Sequence, residues 1–409
     1  MFLQNTFRAF RHRDYLIFWS GFFLGHTGTL IQTTAQGWLI LLLTDSPFYL
    51  GLNGLCLGLP RVLFSPLGGA VADRLNRRQL LVFTQSVLML FAIFLGVMNY
   101  LDLIAVWHVL AVSALTGFIL SFEQPVRQSI LHTLVPREDL INAITLYHLV
   151  FNGSILFGPA AGGALIPFIG TAGCFIVHAV GNFVVVVTIF MIRIPKTVPT
   201  GKKKSLYKDM VEGISMAWQS PIFISLFVTL AVVSFFVRPY TQFMPIFARD
   251  ILSVGAPGLG LLLTAPGAGA VCGGLIFASI TRFPKPHLLL LFLASGFGST
   301  IILFSASRSF VFSLVILFIV GAFQTTLLST ITTFLQSHSK AQHVGRIMSL
   351  YGLINRGLGP MGALPIGALA TKFGAPLTIA FGGILAIITS AYVTLRGSHW
   401  RNVKAIGEP

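Results

Sequence analysis

Acidic side chains are almost missing from this chain: 11 Asp and Glu stand against 27 Lys and Arg in 409 residues, and charged residues of both signs make up only 9%. A soluble domain needs about a quarter of its residues charged to cover its surface, so that class is excluded. Cysteine is as scarce. Cys56, Cys174 and Cys272 are odd in number and each sits inside an apolar run, which excludes a disulfide framework. There is no helical His-Glu-x-x-His, no Gly-x-Ser-x-Gly and no pair of intramembrane aspartates, so neither catalytic residues, metal ligands nor a cofactor is expected. A removable signal peptide is not visible either. The N-terminus is basic, but the first apolar run is long and lacks a cleavage-like end.

What the chain has in excess is apolar length: 55% of residues are hydrophobic and the mean hydropathy is +0.85. Runs of about 20 apolar residues are what a helix needs to cross a hydrocarbon core of roughly 30 Å, whereas a barrel would show short alternating segments. The runs predict spans over 15–43, 48–71, 79–100, 106–129, 140–166 and 173–192, then 222–246, 258–280, 288–305, 310–330, 345–369 and 375–395. The expected fold is an all-α membrane protein with twelve transmembrane helices in two pseudo-symmetric six-helix bundles. Its parts are an N-terminal bundle (1–192), a cytoplasmic linker (193–221), a C-terminal bundle (222–395) and a cytoplasmic tail (396–409).

An even span count puts both termini on one side. With that side cytoplasmic, 21 of the 27 basic residues fall inside, Arg249, Arg308 and Lys372 fall outside, and Arg61, Arg238 and Arg356 lie within helices. This positive-inside bias sets the orientation in a bacterial inner membrane. Because the positive charge is spread over every inner loop, it is explained by topology and not by nucleic acid. In the linker, Leu206, Met210, Ile214 and Trp218 recur every four residues beside Lys202-Lys203-Lys204. Two readings stand there, a charged tether between bundles and an amphipathic helix on the membrane surface that touches lipid.

The sequence also repeats itself. A shift of 204 residues lays Leu146-Tyr147 on Leu350-Tyr351, Gly158 on Gly362, Gly163-Ala164-Leu165 on Gly367-Ala368-Leu369, and Gly170 on Gly374. Parallel repeats of this kind place a substrate site between them near the bilayer midplane.

After the second span the chain reads GGAVADRLNRRQLL, and Gly69, Asp73, Arg74, Arg77 and Arg78 fit a Gly, then Asp four residues on, then a basic cluster. This resembles the loop 2–3 signature of the major facilitator superfamily, with Asn76 standing where the family usually has Gly. The resemblance implies a gate in which the aspartate holds the halves together, meeting arginines or the N-terminus of helix 11. FGPAAGG at 157–163 is similar to an element of the superfamily's exporters. There Pro159 is expected to kink or loosen the helix, while Gly158, Gly162 and Gly163 allow close contact. The segments 33–52, 122–143 and 236–252 look like the bacterial drug-exporter branch with enterobactin-exporter-like and macrolide-efflux-like members. The implied function is export of a small molecule by alternating access as a proton antiporter, through a monomer. The arginine that many such antiporters carry early in helix 4 is absent between His108 and Leu120.

The intramembrane polar residues supply the candidate site. Arg61, Arg238 and Arg356 face no carboxylate at similar depth, so each is expected to face protein or water, and together they fit an anionic or amphipathic cargo. The alternative is that each arginine caps carbonyls freed by a neighbouring Pro or Gly. Gln32, Gln36, Tyr240, Gln242 and Asn355 are the polar residues expected to line the cavity. Glu123 and Arg127, one turn apart, form the first candidate for proton coupling, followed by His26 and His148, with His178 also inside a span. A lipid or lysolipid translocator would use the same features. A membrane sensor would need a soluble effector domain, and an intramembrane lipid enzyme would need the missing motifs.

Overall fold

The computed structural model describes residues 7–72, 75–193, 220–279, 286–339 and 343–396. Asp73, Arg74, almost all of the linker and the tail after 396 lie outside the described residues.

Apolar segments with no water to bond must satisfy every backbone N–H and C=O internally, which a helix does. The elements are α1 (Arg13–Thr44), α2 (Pro47–Ala72), α3 (Arg77–Tyr100) and α4 (Val106–Leu134), then α5 and α6 within Leu140–Met191. They are followed by α7 (Pro221–Ile251), α8 (Gly255–Ser279), α9 (Pro286–Ala306), α10 (Phe310–Ser337), α11 (Val344–Phe373) and α12 (Ala375–Arg396). Among the described residues, nine segments are long and apolar enough to cross a membrane, and one of them, the 55-residue stretch Arg137–Met191, holds both α5 and α6. The more polar α1 and α11 are not among the nine.

The join between α5 and α6 falls at a glycine. Pro159 lies inside the helix, and the only non-helical dihedrals in that stretch are at Gly170, with φ +68°. Its repeat partner Gly374, between α11 and α12, has φ +83°. A left-handed residue at both places is what lets each helix pair join without a loop, and glycine alone takes that conformation at no steric cost. The duplication read from sequence therefore extends to backbone geometry.

α7 is the irregular element. It passes from α-helix into a π-turn (Val233–Val237), a 3-10 stretch (Arg238–Phe243) and a second π-turn (Phe247–Ile251). Pro239 and Pro245 each remove a backbone donor there. Such breaks in a spanning helix are tolerated where protein or a water-filled space surrounds them, and they mark functional sites.

The chain packs into two compact units, which follow the halves of the sequence with one exchange. Unit 1 is Met1–Asp45, Leu59–Lys202 and Gly255–Thr264; unit 2 is Ser46–Gly58, Lys203–Val254 and Ala265–Pro409. Thus the first half of α2 belongs to unit 2 and the first part of α8 to unit 1. Within unit 1, a methyl group on Gly163 would lie 2.8 Å from the Cα of Gly260. Within unit 2, one on Gly367, its repeat partner, would lie 3.3 Å from the Cα of Gly51. The repeat shows again one step along: Gly158 of α5 lies against Leu30 of α1, and Gly362 of α11 against the carbonyl of Phe235 in α7.

Candidate functional site

In unit 1 the polar residues gather where α1, α4 and α5 meet. Glu123 is 1% exposed and pairs with Arg127 one turn later on α4. The Arg127 guanidinium lies over the Phe22 ring, 4.5 Å from its centroid, with the Phe151 ring 5.9 Å away. His26 meets the same Phe151 edge-on at 4.7 Å and lies within electrostatic reach of both Arg127 and Arg61. A buried carboxylate and guanidinium in hydrocarbon survive only as a pair, and the aromatic faces supply further cation–π attraction. Three expected coupling residues, Glu123, Arg127 and His26, are therefore brought together. His148 is not; its side chain is exposed on α5.

Two glutamines expected to line a cavity are committed to packing. The Gln32 Oε1 accepts from the Nδ1 of His178, which is buried on α6. An amide oxygen only accepts, so the proton sits on Nδ1 and the Nε2 of His178 is left to accept from Asn182 Nδ2 at 3.1 Å. Gln36 donates to the Ser113 hydroxyl at 2.7 Å, tying α1 to α4. Neither pairing leaves a distinctive mark in the sequence.

The loop 2–3 signature is divided. Gly69 lies within α2, Arg77 opens α3, and Asp73 and Arg74 fall outside the described residues. Asn76 caps α3, its Oδ1 accepting from the backbone N–H of Arg78 at 3.0 Å, which gives a physical reason for its replacing Gly. Arg78 donates to the Phe190 carbonyl at 2.7 Å and lies over that ring, so it caps the C-terminal end of α6. The α5 glycines pack as expected: Gly158 and Gly162 against α1, and Gly163, beside Pro159, against α8.

A clasp at the start of the chain went unread in the sequence. Asp139 is buried and receives Arg8 Nε at 2.7 Å and His12 Nε2 at 2.8 Å. The short 3-10 helix Arg8–Arg11 is held to the α4–α5 connection in this way, and Ala9 N–H donates to Asn142 Oδ1 at 2.9 Å. Tyr15 and Trp19 continue the seam by donating to the carbonyls of Ala143 and Leu146.

In unit 2 the polar residues cluster at the break in α7. Arg238 donates through Nη1 to the Asn355 carbonyl at 2.6 Å and to its Oδ1, and the Asn355 Nδ2 reaches the Tyr351 hydroxyl at 3.3 Å. Arg238 thus ties α7 to α11 through this one nitrogen. Tyr240 is 2% exposed, and Gln242 lies against Gly54 of α2. Arg356 differs: it is exposed and makes no hydrogen bond or ion pair with any described residue. Arg61 is exposed as well, in unit 1. Of the three arginines expected at depth, only Arg238 is partly covered.

Known proteins place this architecture. The chain is 22% identical over 373 residues to a staphyloferrin A transporter of Staphylococcus aureus, covering 90% of this chain and 93% of that one. It is 21% identical over 348 residues to a macrolide efflux protein A of Streptococcus pyogenes, covering 84% and 86%, and 23% identical over 360 residues to the multidrug efflux pump Tap of Mycolicibacterium fortuitum, covering 85% and 87%. In fold it superposes on a bacterial homologue of the human lysosomal transporter Spinster with TM-score 0.71 at 19% identity, over 94% of this chain and 96% of that one. It also superposes on the nucleoside transporter NupG with TM-score 0.74 at 10% identity, over 93% and 99%. The family model described as transmembrane secretion effector matches residues 4–405, and the chain belongs to that family of major facilitator superfamily transporters, multi-pass membrane proteins and not enzymes.

Proposed function

We propose that this transporter is a proton-coupled exporter of small molecules that works by alternating access as a monomer in a bacterial inner membrane, with both termini cytoplasmic. The observation that carries the reading is the Glu123–Arg127 pair, buried against Phe22 and Phe151. Protonating Glu123 removes the counter-charge of Arg127 and leaves a bare cation among aromatic rings, so the two protonation states favour different packings of α1, α4 and α5. A proton gradient acts on the transporter through that difference. Several relatives are named as efflux proteins, which favours the outward direction. The paired glycines Gly163–Gly260 and Gly51–Gly367 let helix backbones approach closely, as small residues do between membrane helices. Asp73 with Arg74 and Arg77 is assigned the gate on the resemblance alone.

The test is efflux from proteoliposomes loaded with radiolabelled erythromycin or citrate under an imposed pH gradient. Flux that falls on adding a protonophore, and an E123Q variant that has lost this response, are the expected results. Flux indifferent to collapse of the gradient overturns the coupling. A second reading, lipid or lysolipid translocation, is favoured by one feature. An apolar groove of 360 Å³ runs between α2, α3 and α4, lined by Val71, Leu75, Phe83, Phe118 and Phe122. Movement of a fluorescent lysolipid in the same vesicles, with neither soluble probe moving, decides for it.

A further inference from the structure

The clasp at the start of the chain holds more than the chain end. Asp139, in the connection between α4 and α5, is buried, and a buried carboxylate needs charged or hydrogen-bonding partners. Arg8 Nε lies 2.7 Å from one of its oxygens, and His12 Nε2 lies 2.8 Å from the other. Just beyond His12, the Asp14 carboxylate accepts from the backbone N–H of Arg193 at 3.1 Å, where α6 ends and the linker begins. Residues 8–14 therefore tie the start of α1 to the α4–α5 connection and to the end of α6, all inside unit 1.

The two partners of Asp139 differ in kind. A guanidinium keeps its charge at every pH a cell meets. Imidazole is the side chain that gains or loses its charge between about pH 5 and 8. Its Nε2–H donates to the carboxylate in either form, but with the charge present the contact is charge-assisted and roughly twice as strong. The His12 side chain is 32% exposed, so water can exchange its proton. Arg8, Arg11, Arg13 and Asp14 flank it along the chain, and Arg137, Glu138 and Asp139 lie in the α4–α5 connection. α5, which also packs on the 3-10 helix, carries no charged residue over 140–146. Arg8 meets both Glu138, at 3.5 Å, and Asp139, and so leaves the two acids one positive charge short. A charged His12 supplies it.

We propose that the clasp is a pH-sensitive brake, in which a charged His12 on Asp139 holds the ends of α1, α4 and α5 together and loss of that charge loosens them. These are the helices around the Glu123–Arg127 pair, whose repacking is the transport step proposed above, so the brake acts on the elements that move. On the proposed orientation the clasp faces the cytoplasm. Acidification there tightens it and slows efflux, and a more alkaline cytoplasm releases it. This consequence for efflux rests on the exporter reading; the response of the clasp itself does not.

The experiment is amide hydrogen exchange of the purified full chain at about pH 6 and about pH 8, on either side of neutrality where imidazole changes charge, read as protection corrected for the intrinsic exchange rate. The reporters are the N–H groups of Ala9, which donates to Asn142 Oδ1, and of His12, which donates to the Ala9 carbonyl. In the native chain protection should be at least about threefold greater on the acid side, the size expected when a hydrogen bond gains charge assistance. H12Q, neutral throughout, should show the lower protection under both conditions, and H12K, charged throughout, the higher. D139N should abolish the dependence, because the imidazole then meets no carboxylate. Equal protection of the native chain under both conditions overturns the inference, as does a pH dependence that persists in H12Q or D139N. Should H12Q fail to fold, the comparison rests on H12K, and a native-like pH dependence there overturns it equally. Efflux from loaded proteoliposomes should be at least about threefold slower in H12K than in the native chain on the alkaline side, and equal on the acid side. Protection that follows His12 while efflux ignores it overturns the brake. A pH-dependent clasp without gradient-driven flux sinks the exporter alone; gradient-driven flux with protection indifferent to pH sinks this inference alone.

Discussion

Gly163 and Gly260 approach backbone to backbone, so that a Cβ on Gly163 would lie 2.5 Å from the Ala256 carbonyl oxygen and 2.8 Å from the Gly260 Cα. No rotamer relieves a clash with main chain. G163V should therefore separate α5 from α8 and cost about 1–3 kcal/mol, as overpacking does. The check is a cysteine at Ala256, a buried position. Its labelling by a thiol reagent should rise in the G163V background, and unchanged labelling would refute the packing.

The Glu123–Arg127 pair makes an asymmetric prediction. E123Q removes a carboxylate and leaves Arg127 stacked on Phe22, so the protein should fold and still exchange cargo without a gradient. R127A strands a buried carboxylate, which costs about 3–5 kcal/mol. Thermal unfolding should show R127A much less stable than E123Q, and adding E123Q to R127A should recover most of the loss. A double variant no more stable than R127A speaks against the pair.

Arg78 should matter for stability and not for turnover. R78A loses the bond to the Phe190 carbonyl and the contact with its ring, together on the order of 1–2 kcal/mol. N76A, which loses the cap on α3, should cost about 0.5–2 kcal/mol. Efflux per folded molecule should stay near native in both. A turnover defect in R78A without loss of stability would return Arg78 to the gate.

The N-terminal clasp should act as one piece. D139N weakens both the Arg8 and the His12 contacts, and truncating the chain before Arg13 removes them altogether. The two changes should destabilise by similar amounts, of order 1–3 kcal/mol, and should not add. Additive losses in the thermal midpoint would mean that Asp139 serves something besides the clasp.

Span positions, the 204-residue register and the pairing of Gly170 with Gly374 were legible in the sequence because they depend on hydropathy and on glycine, both local properties. Partners were not. Gln32 reads as a free polar residue on α1 until His178, 146 residues later, is seen to donate to it. Arg78 finds its acceptor 112 residues away. Pro159 lies inside its helix, and the turn between α5 and α6 falls at Gly170, whose φ no other residue takes freely. Arg356 was read for its charge, as was Arg238, but only the structure shows Arg356 exposed and Arg238 bonded to Asn355.

The exchange of helix segments between units has a consequence for assembly. The stretch 46–58 packs with the unit made largely by the second half of the sequence, and 255–264 with the unit made largely by the first. Severing the chain in the linker should give halves that fold only when made together.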